Sequence, residues 1–336
     1  MGLSRAAVVP LVVALLCTGG LAVAPRAQAA TTCTTNPFTA SFVSTLRAQH
    51  PSQRFTAAVY ETRTRCWYHL NRDLTISTAS VIKAEIMGAT LLKAQRAGRA
   101  VSTWEHNRIH PMITYSHNNP YASDLYWHVG GTSGMSAFSR ASGAYNTQHS
   151  ATYGATITTA VDRTKVSRAL LYGIGPLGAT ARSRAWTYMS RVHPTQRWGI
   201  TAGVPAGYQV ALKNGFYPSR GWGWRLGSTG FVRRTGSSHG YAITIMTDRN
   251  SGHYPGMTLV EKISRRVSGV LLGGTPAPRI VTRSVCTRTV AGESWTTVAR
   301  RVGVSSTRAY LVRRVSGGNP YPLQGQRACS PDLRPA

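Results

Sequence analysis

Ser77-Thr78-Ala79-Ser80-Val81-Ile82-Lys83 is the stretch on which the reading of the whole chain turns. A helical pattern starts near Ser80 and runs through Ala94. Residues three apart on a helix share a face, so Ser80 and Lys83 are expected side by side. The first turn sits at the positive end of the helix dipole, where developing negative charge is favoured. An unprotonated Lys83 there is placed to take the serine proton. The Ser-x-x-Lys spacing is equally met by a capping serine and a surface lysine, so its meaning depends on what the chain supplies elsewhere.

Two further stretches bear on it. Ser116-His117-Asn118 follows Met112-Ile113-Thr114-Tyr115. A hydroxyl at this place can relay a proton to a leaving nitrogen, and a side-chain amide can hold a substrate carbonyl and the first lysine. The plain alternative is a helix cap before Asn119-Pro120. Lys213-Asn214-Gly215 ends a strand pattern that begins at Tyr208. A second ammonium would lower the pKa of the first and attract a substrate carboxylate, while glycine lets a ligand lie against the strand. Here the alternative is an ordinary turn.

In this order, Ser-x-x-Lys, Ser-x-Asn and Lys-x-Gly resemble the motifs of class A β-lactamases and penicillin-binding proteins. The flanks add a strand pair before the first motif and Trp224-Arg225-Leu226-Gly227-Ser228-Thr229-Gly230 after the third. The resemblance spans Phe38 to Leu272. It implies that Ser80 is the acylated nucleophile, Lys83 its base, and Ser116 the proton shuttle. It further implies that Asn118 orients the substrate amide and that Lys213 supplies electrostatic support. Asn214, Gly215, Phe216 and Arg225 would bind substrate, with the backbone N–H groups of Ser80 and Phe216 forming the oxyanion hole. No metal or other cofactor is implied.

The chain departs from the family pattern in three places. His117 stands where aspartate is usual, and Asn214 where threonine or serine is usual. The interval between the first two motifs is short. The glutamate that activates the deacylating water is missing from its expected context. Between Ser116 and Lys213 the only carboxylates are Asp124, expected on the same helix as Ser116, and Asp162, expected at a helix start.

Around the motifs, the chain reads as a helix from about Phe38, strands Phe55 to Tyr60 and Cys66 to Asn71, and a mainly helical middle. Strands Tyr208 to Lys213, Trp224 to Val232 and Tyr241 to Thr247 follow, then a closing helix from Met257 to Leu272. That order predicts an α/β (α+β) domain with an antiparallel sheet flanked by helices and a helical subdomain. The organisation expected is a signal peptide over 1–29, a hydrolase domain over 30–274, a linker over 275–284 and a small module over 285–336. The signal reading rests on Arg5, an apolar run from Ala6 to Val23, and the small-residue site Ala27-Gln28-Ala29. No other stretch is apolar enough to span a bilayer.

Val290-Ala291-Gly292-Glu293-Ser294-Trp295 and Leu323-Gln324-Gly325-Gln326 resemble the opening and closing of a LysM module, a βααβ unit that binds N-acetylglucosamine polymers such as peptidoglycan. The second-helix pattern is degenerate there, with Arg308, Arg313 and Arg314. Four cysteines remain beyond the signal, which allows three pairings. Cys33–Cys66 and Cys286–Cys329 are preferred because each pair then lies in one expected domain, and no Cys-x-x-Cys pair suggests a metal site.

The formal net charge is +29, falling to about +27 once Arg5 and Arg26 leave with the signal. Because the charge is spread along the whole chain, acidic cell-wall polymers fit better than nucleic acid. Only five of the basic residues are lysines, namely Lys83, Lys93, Lys165, Lys213 and Lys262. The expectation is a secreted, cell-wall-associated, monomeric serine hydrolase acting on β-lactams, and slow to deacylate. The alternatives are a D,D-peptidase or transpeptidase on D-alanyl peptides, or an idle wall-binding protein.

Overall fold

Runs rich in β-branched and aromatic residues, bounded by turns, place the strands. The computed structural model describes Gly2, Cys33, residues 35–273, 280–281, 286–302, 309, 312–313, 324, 326–329 and 332–333. The expected signal segment therefore lies outside the described residues, apart from Gly2.

Helix α1 (Ala40–Gln49) starts where the Thr39 hydroxyl accepts from the Phe42 N–H. Strands β1 (Arg54–Glu61), β2 (Trp67–Leu70) and β3 (Thr75–Ser77) follow, and a 3-10 turn over Ala79–Val81 leads into α2 (Ile82–Arg96). The helical middle comprises α3 (Thr103–Thr114), α4 (Tyr121–His128), α5 (Gly131–Ala141), the short strand β4 (Ile157–Thr159), α6 (Ala160–Leu171) and α7 (Ala179–Ser190). Long strands β5 (Tyr208–Ser219), β6 (Gly223–Arg234) and β7 (Gly240–Asn250) precede α8 (His253–Leu272).

The main sheet runs in the order β2-β1-β7-β6-β5 with every neighbour antiparallel. Helix α8 supplies Leu259, Val260, Ile263 and Val267, all fully buried, to one core with Val59, Leu212, Phe231 and Ile243. Helix α2 is buried on nearly every side, with Lys83 and Glu85 among its buried residues. It is buried from Ile82 to Leu92 and runs through the centre of the helical half. A helix in that position has no solvent face, which accounts for its weak amphipathic signal.

Several boundaries differ from the sequence reading. Strand β5 continues past Lys213 to Ser219, because β6 pairs with it over its whole length. Ser80 lies in the 3-10 turn before α2 rather than in the helix itself. Ser116 lies in the loop before α4, whereas Asp124 is on α4, so the two do not share a helix. Asp162 does stand at a helix start, in the first turn of α6, with its N–H on the Thr159 hydroxyl at 3.2 Å.

Cys33 and Cys66 form a disulfide that ties the start of the body to the residue just before β2. Beyond α8, the described pieces are β8 (Ile280–Val281), β9 (Cys286–Arg288), α9 (Trp295–Arg301), β10 (Arg327–Cys329) and β11 (Asp332–Leu333). Strand β8 pairs with β11, so part of the span expected to be linker is sheet. Cys286 faces Cys329 in the β9–β10 register, but their side chains lie outside what is described. Trp295, Val298, Ala299, Val302 and Val312 form a small separate core. By backbone contacts, Cys33–Ala336 is nevertheless one unit.

A buried ion pair anchors the segment between α5 and α6. Glu85 of α2 meets the Arg163 guanidinium, and both side chains are almost wholly buried. Arg163 also donates to Thr147 at 2.8 Å and to Thr158 at 3.1 Å, on either side of residues 151–154. Burying a charge is tolerable only when it is paired and hydrogen-bonded. Glu85→Ala should therefore cost about 3–5 kcal/mol of stability by leaving the guanidinium without its counter-charge. Urea unfolding measures this, and an unchanged midpoint would remove the pair from that role.

Candidate active site

Three chain segments converge on Ser116. The α3–α4 loop brings Ser116 in with φ +66°, a left-handed conformation costly for any residue with a β-carbon. That conformation lets Ser116 meet two lysines at once. The Lys83 amine donates to the Ser116 carbonyl at 2.6 Å and to Asn118 Oδ1 at 2.6 Å, and lies 3.5 Å from Ser116 Oγ. The Lys213 amine donates to Ser116 Oγ at 2.8 Å and to the Asn214 carbonyl at 2.6 Å.

Both amines are buried, with the Lys83 and Lys213 residues at 0% and 1% exposure. Loss of water disfavours the ammonium form and lowers the Lys83 pKa to about 7. The same cause, reinforced by the Lys83 charge, takes Lys213 well below its ordinary value. At neutral pH, a large share of Lys83 is thus a free amine, the form in which lysine can act as a base.

Ser80 sits one residue after Ala79, which has φ +47°. A non-glycine residue held in this region stores backbone strain, as functional turns often do. Beside it runs β5, one of the two edge strands of the sheet. A β-carbon added to Gly215 would come 2.7 Å from the Ser80 backbone nitrogen and 2.5 Å from that of Val81. Only glycine therefore lets the strand approach the serine turn so closely. Ser80 and Phe216 both line one cleft, and their amides are the expected donors to a developing oxyanion.

The cleft has a volume of 480 Å³. It is lined by residues of three stretches, Ala79 with Ser80, the loop and helix from Asn118 to Trp127, and Ala151 to Gly154, together with Phe216 and Tyr217 of β5. Trp127, Tyr153 and Tyr217 were not anticipated from the sequence. Exposed aromatics on a helix or loop carry no periodic signal. Tyr217 alone was accessible, as it lies two residues beyond Gly215 on a strand that runs further than its pattern suggested.

Other expected residues stand elsewhere. Asn214 is buried, and its amide donates to the carbonyls of Gln196 at 2.6 Å and Trp198 at 3.1 Å, so it holds that loop rather than lining the cleft. Arg225 donates to the Tyr217 hydroxyl, which in turn is 3.1 Å from Ser77 Oγ. The His117 ring stacks with Tyr115 at 5.4 Å and packs on Tyr121 at 5.7 Å, outside the cleft lining. Asp124 is paired with Arg108 at 2.7 Å. Asp162 accepts from the Asn146 N–H at 2.6 Å and from Thr147 Oγ1 at 2.9 Å. None of the described residues lining the cleft is acidic, and none of the described residues forms a cluster suited to hold a metal.

Because burial lowers the Lys83 pKa, protonation at acid pH removes the base. Acylation of Ser80 should rise as pH passes upward through about 7 and level off above it. Rapid-quench labelling across the pH range tests this, and a flat profile would remove Lys83 from the role of base. Gly215→Ala should slow the same step by roughly 10²-fold, the scale of losing one oxyanion donor.

A sequence model of the Beta-lactamase enzyme family matches residues 92–271. That span contains Ser116, Asn118 and Lys213 and begins after Ser80 and Lys83. No curated protein matches the chain. Among solved structures, PBP-A superposes with a TM-score of 0.59 at 18% identity, covering 69% of this chain and 95% of that one. A mutant of PBP-A in an acyl-enzyme complex with penicillin G gives 0.58 at 20% identity, covering 69% and 96%. A β-lactamase from Xanthomonas campestris gives 0.58 at 13% identity, covering 68% and 96%. At these identities the superpositions speak for the fold alone, whereas the family match covers more than half of the sequence. The chain belongs to the Beta-lactamase enzyme family and is, at the level of that family, a serine hydrolase.

Proposed function

We propose that this protein is an exported serine hydrolase that forms an acyl-enzyme on Ser80 with β-lactams or D-alanyl peptides and releases it slowly. The observation that carries this reading is Ser116 held between two buried lysine amines, next to a cleft lined by Ser80 and Asn118 whose described lining holds no carboxylate. Lys83 takes the Ser80 proton as the hydroxyl oxygen attacks the carbonyl carbon. The amides of Ser80 and Phe216 receive the negative charge that forms on the carbonyl oxygen. As the C–N bond breaks, Ser116 gives its proton to the leaving nitrogen and is resupplied from the lysine side. Asn118 orients the substrate amide. Lys213, whose amine hydrogen-bonds Ser116 Oγ, supports that proton relay.

Release of the acyl group needs a water that loses its proton as it attacks, and a missing general base costs about 10²–10⁴ in rate. Asp124, Asp162 and Glu85 are each held by other partners. The same parts serve a D,D-peptidase or transpeptidase, in which an amine acceptor replaces water. A neighbouring fold, the PBP-A mutant, is captured as an acyl-enzyme with penicillin G, which is the state expected to accumulate here.

The C-terminal segment is proposed as a LysM-like module that keeps the enzyme on peptidoglycan. Support comes from its own small core and from the register of Cys286 opposite Cys329, which suits a second disulfide. The basic surface suits acidic wall polymers, and export fits the Cys33–Cys66 disulfide. Among the described residues no helix is long and apolar enough to cross a membrane.

With nitrocefin, stopped-flow mixing should show a burst of about one equivalent followed by a slow steady state. Intact mass should show the adduct, and Ser80→Ala should abolish it. Fast multiple turnover without a burst would overturn the slow-release reading, and undiminished labelling of Ser80→Ala the assignment of the nucleophile. For the module, residues 281–336 should pellet with purified peptidoglycan even at high salt, where simple charge attraction is screened. Loss of all binding at high salt would leave only a basic tail.

A further inference from the structure

Arg313 belongs to the C-terminal segment, next to Val312 of its small core, yet its side chain is buried against the hydrolase domain. Its Nη2 lies 2.8 Å from Nδ1 of His253, the first residue of α8. Arginine has no acceptor, so the ring nitrogen facing it must carry a lone pair. His253 is itself only 3% exposed. Its ring meets those of Phe216 at 4.4 Å, Trp224 at 5.7 Å and Trp198 at 5.8 Å, all edge-on.

The position of this cage matters. Phe216 is the β5 residue whose amide is assigned to the oxyanion hole. The Trp198 carbonyl accepts from the side chain of Asn214, two residues earlier on the same strand. The cage thus grips β5 on both sides of Gly215, the point where the strand presses on the Ser80 backbone. Edge-on ring pairs have preferred geometries and transmit small shifts because packed interiors are stiff.

We propose that His253 and Arg313 are positioning residues for acylation, and that the C-terminal segment, through Arg313, holds the Phe216 amide in register with Ser80. This rests on the Ser80 acylation reading above. The segment is then not only a wall anchor but part of the support of the catalytic strand. A free C-terminal segment would leave His253 without its cationic neighbour and β5 with one restraint fewer.

The experiment uses the full-length mature protein and measures the rate of Ser80 acylation by a fluorescent penicillin. It also measures the affinity of phenylboronic acid, whose tetrahedral adduct on serine reports the oxyanion hole. Arg313→Ala and His253→Phe should each slow acylation roughly tenfold, well within the range for displacing one oxyanion donor, and should weaken the boronate in parallel. The double variant should be no slower than either single one, since both act through one contact. Arg313→Lys, which keeps the charge and a donor, should recover part of the rate. Arg300→Ala, an exposed arginine of the same segment, should change nothing. Unaltered acylation and boronate affinity in Arg313→Ala and in His253→Phe, even with a lowered unfolding midpoint, would overturn the proposal and reduce the contact to packing. If the unmodified protein is not acylated at all, the function reading itself has failed.

Discussion

Two lysine amines buried on either side of one serine set the terms for everything around them. An isolated buried ammonium is expensive, and two that share one serine are more so. The chain meets this with a fixed set of acceptors, the carbonyls of Ser116 and Asn214 and the Oδ1 of Asn118. Each acceptor lies within two residues of a motif serine or lysine. The motif spacings are therefore also the means by which the charges are made tolerable. The left-handed backbone at Ser116 follows from the same need, since it turns the carbonyl toward one lysine and the hydroxyl toward the other.

Such an arrangement has to be assembled from distant parts of the chain and then held. Helix α2, buried nearly all round, fixes Lys83. Strand β5 fixes Lys213 through full-length pairing with β6, which pairs in turn with β7. The Glu85–Arg163 pair holds the segment whose residues 151–154 line the cleft together with Asn118 and Trp127. Breaking any of these supports moves an acceptor away from a buried amine, so the stability of the scaffold and the pKa of the base are linked properties.

What the sequence revealed and what it hid follow from range. That Lys83, Ser116, Asn118 and Lys213 belong together was legible, because each sits in a three- or four-residue motif and the structure brings them into contact. The long strands, the closing amphipathic helix and the antiparallel sheet were legible through periodicity. The orientation of Asn214 was not, because it depends on carbonyls of the 196–198 loop that meet the strand only in the folded state. Neither was the Glu85–Arg163 contact, which joins residues 78 apart. The helix expected to carry both Ser116 and Asp124 failed for a local reason. Ser116 takes a positive φ to serve two lysines, and that conformation cannot continue a helix.

The use of lysine in an arginine-dominated chain has the same root. Arginine satisfies nearly every need for positive charge here, stacking on Trp104, Trp186 and Trp222 and pairing with Asp124, Asp248 and Glu105. It does not lose its proton in a protein. A guanidinium at position 83 would be a permanent cation beside Ser80, unable to accept the proton that acylation must remove. Two of the five lysines are the buried pair at the site. The other three, Lys93, Lys165 and Lys262, donate to His128, Gly143 and Gln49 nearer the surface, where an arginine would serve as well. In this chain, lysine is indispensable only where an amine must be free to become neutral, and that condition is met at Lys83 and Lys213 alone among the five.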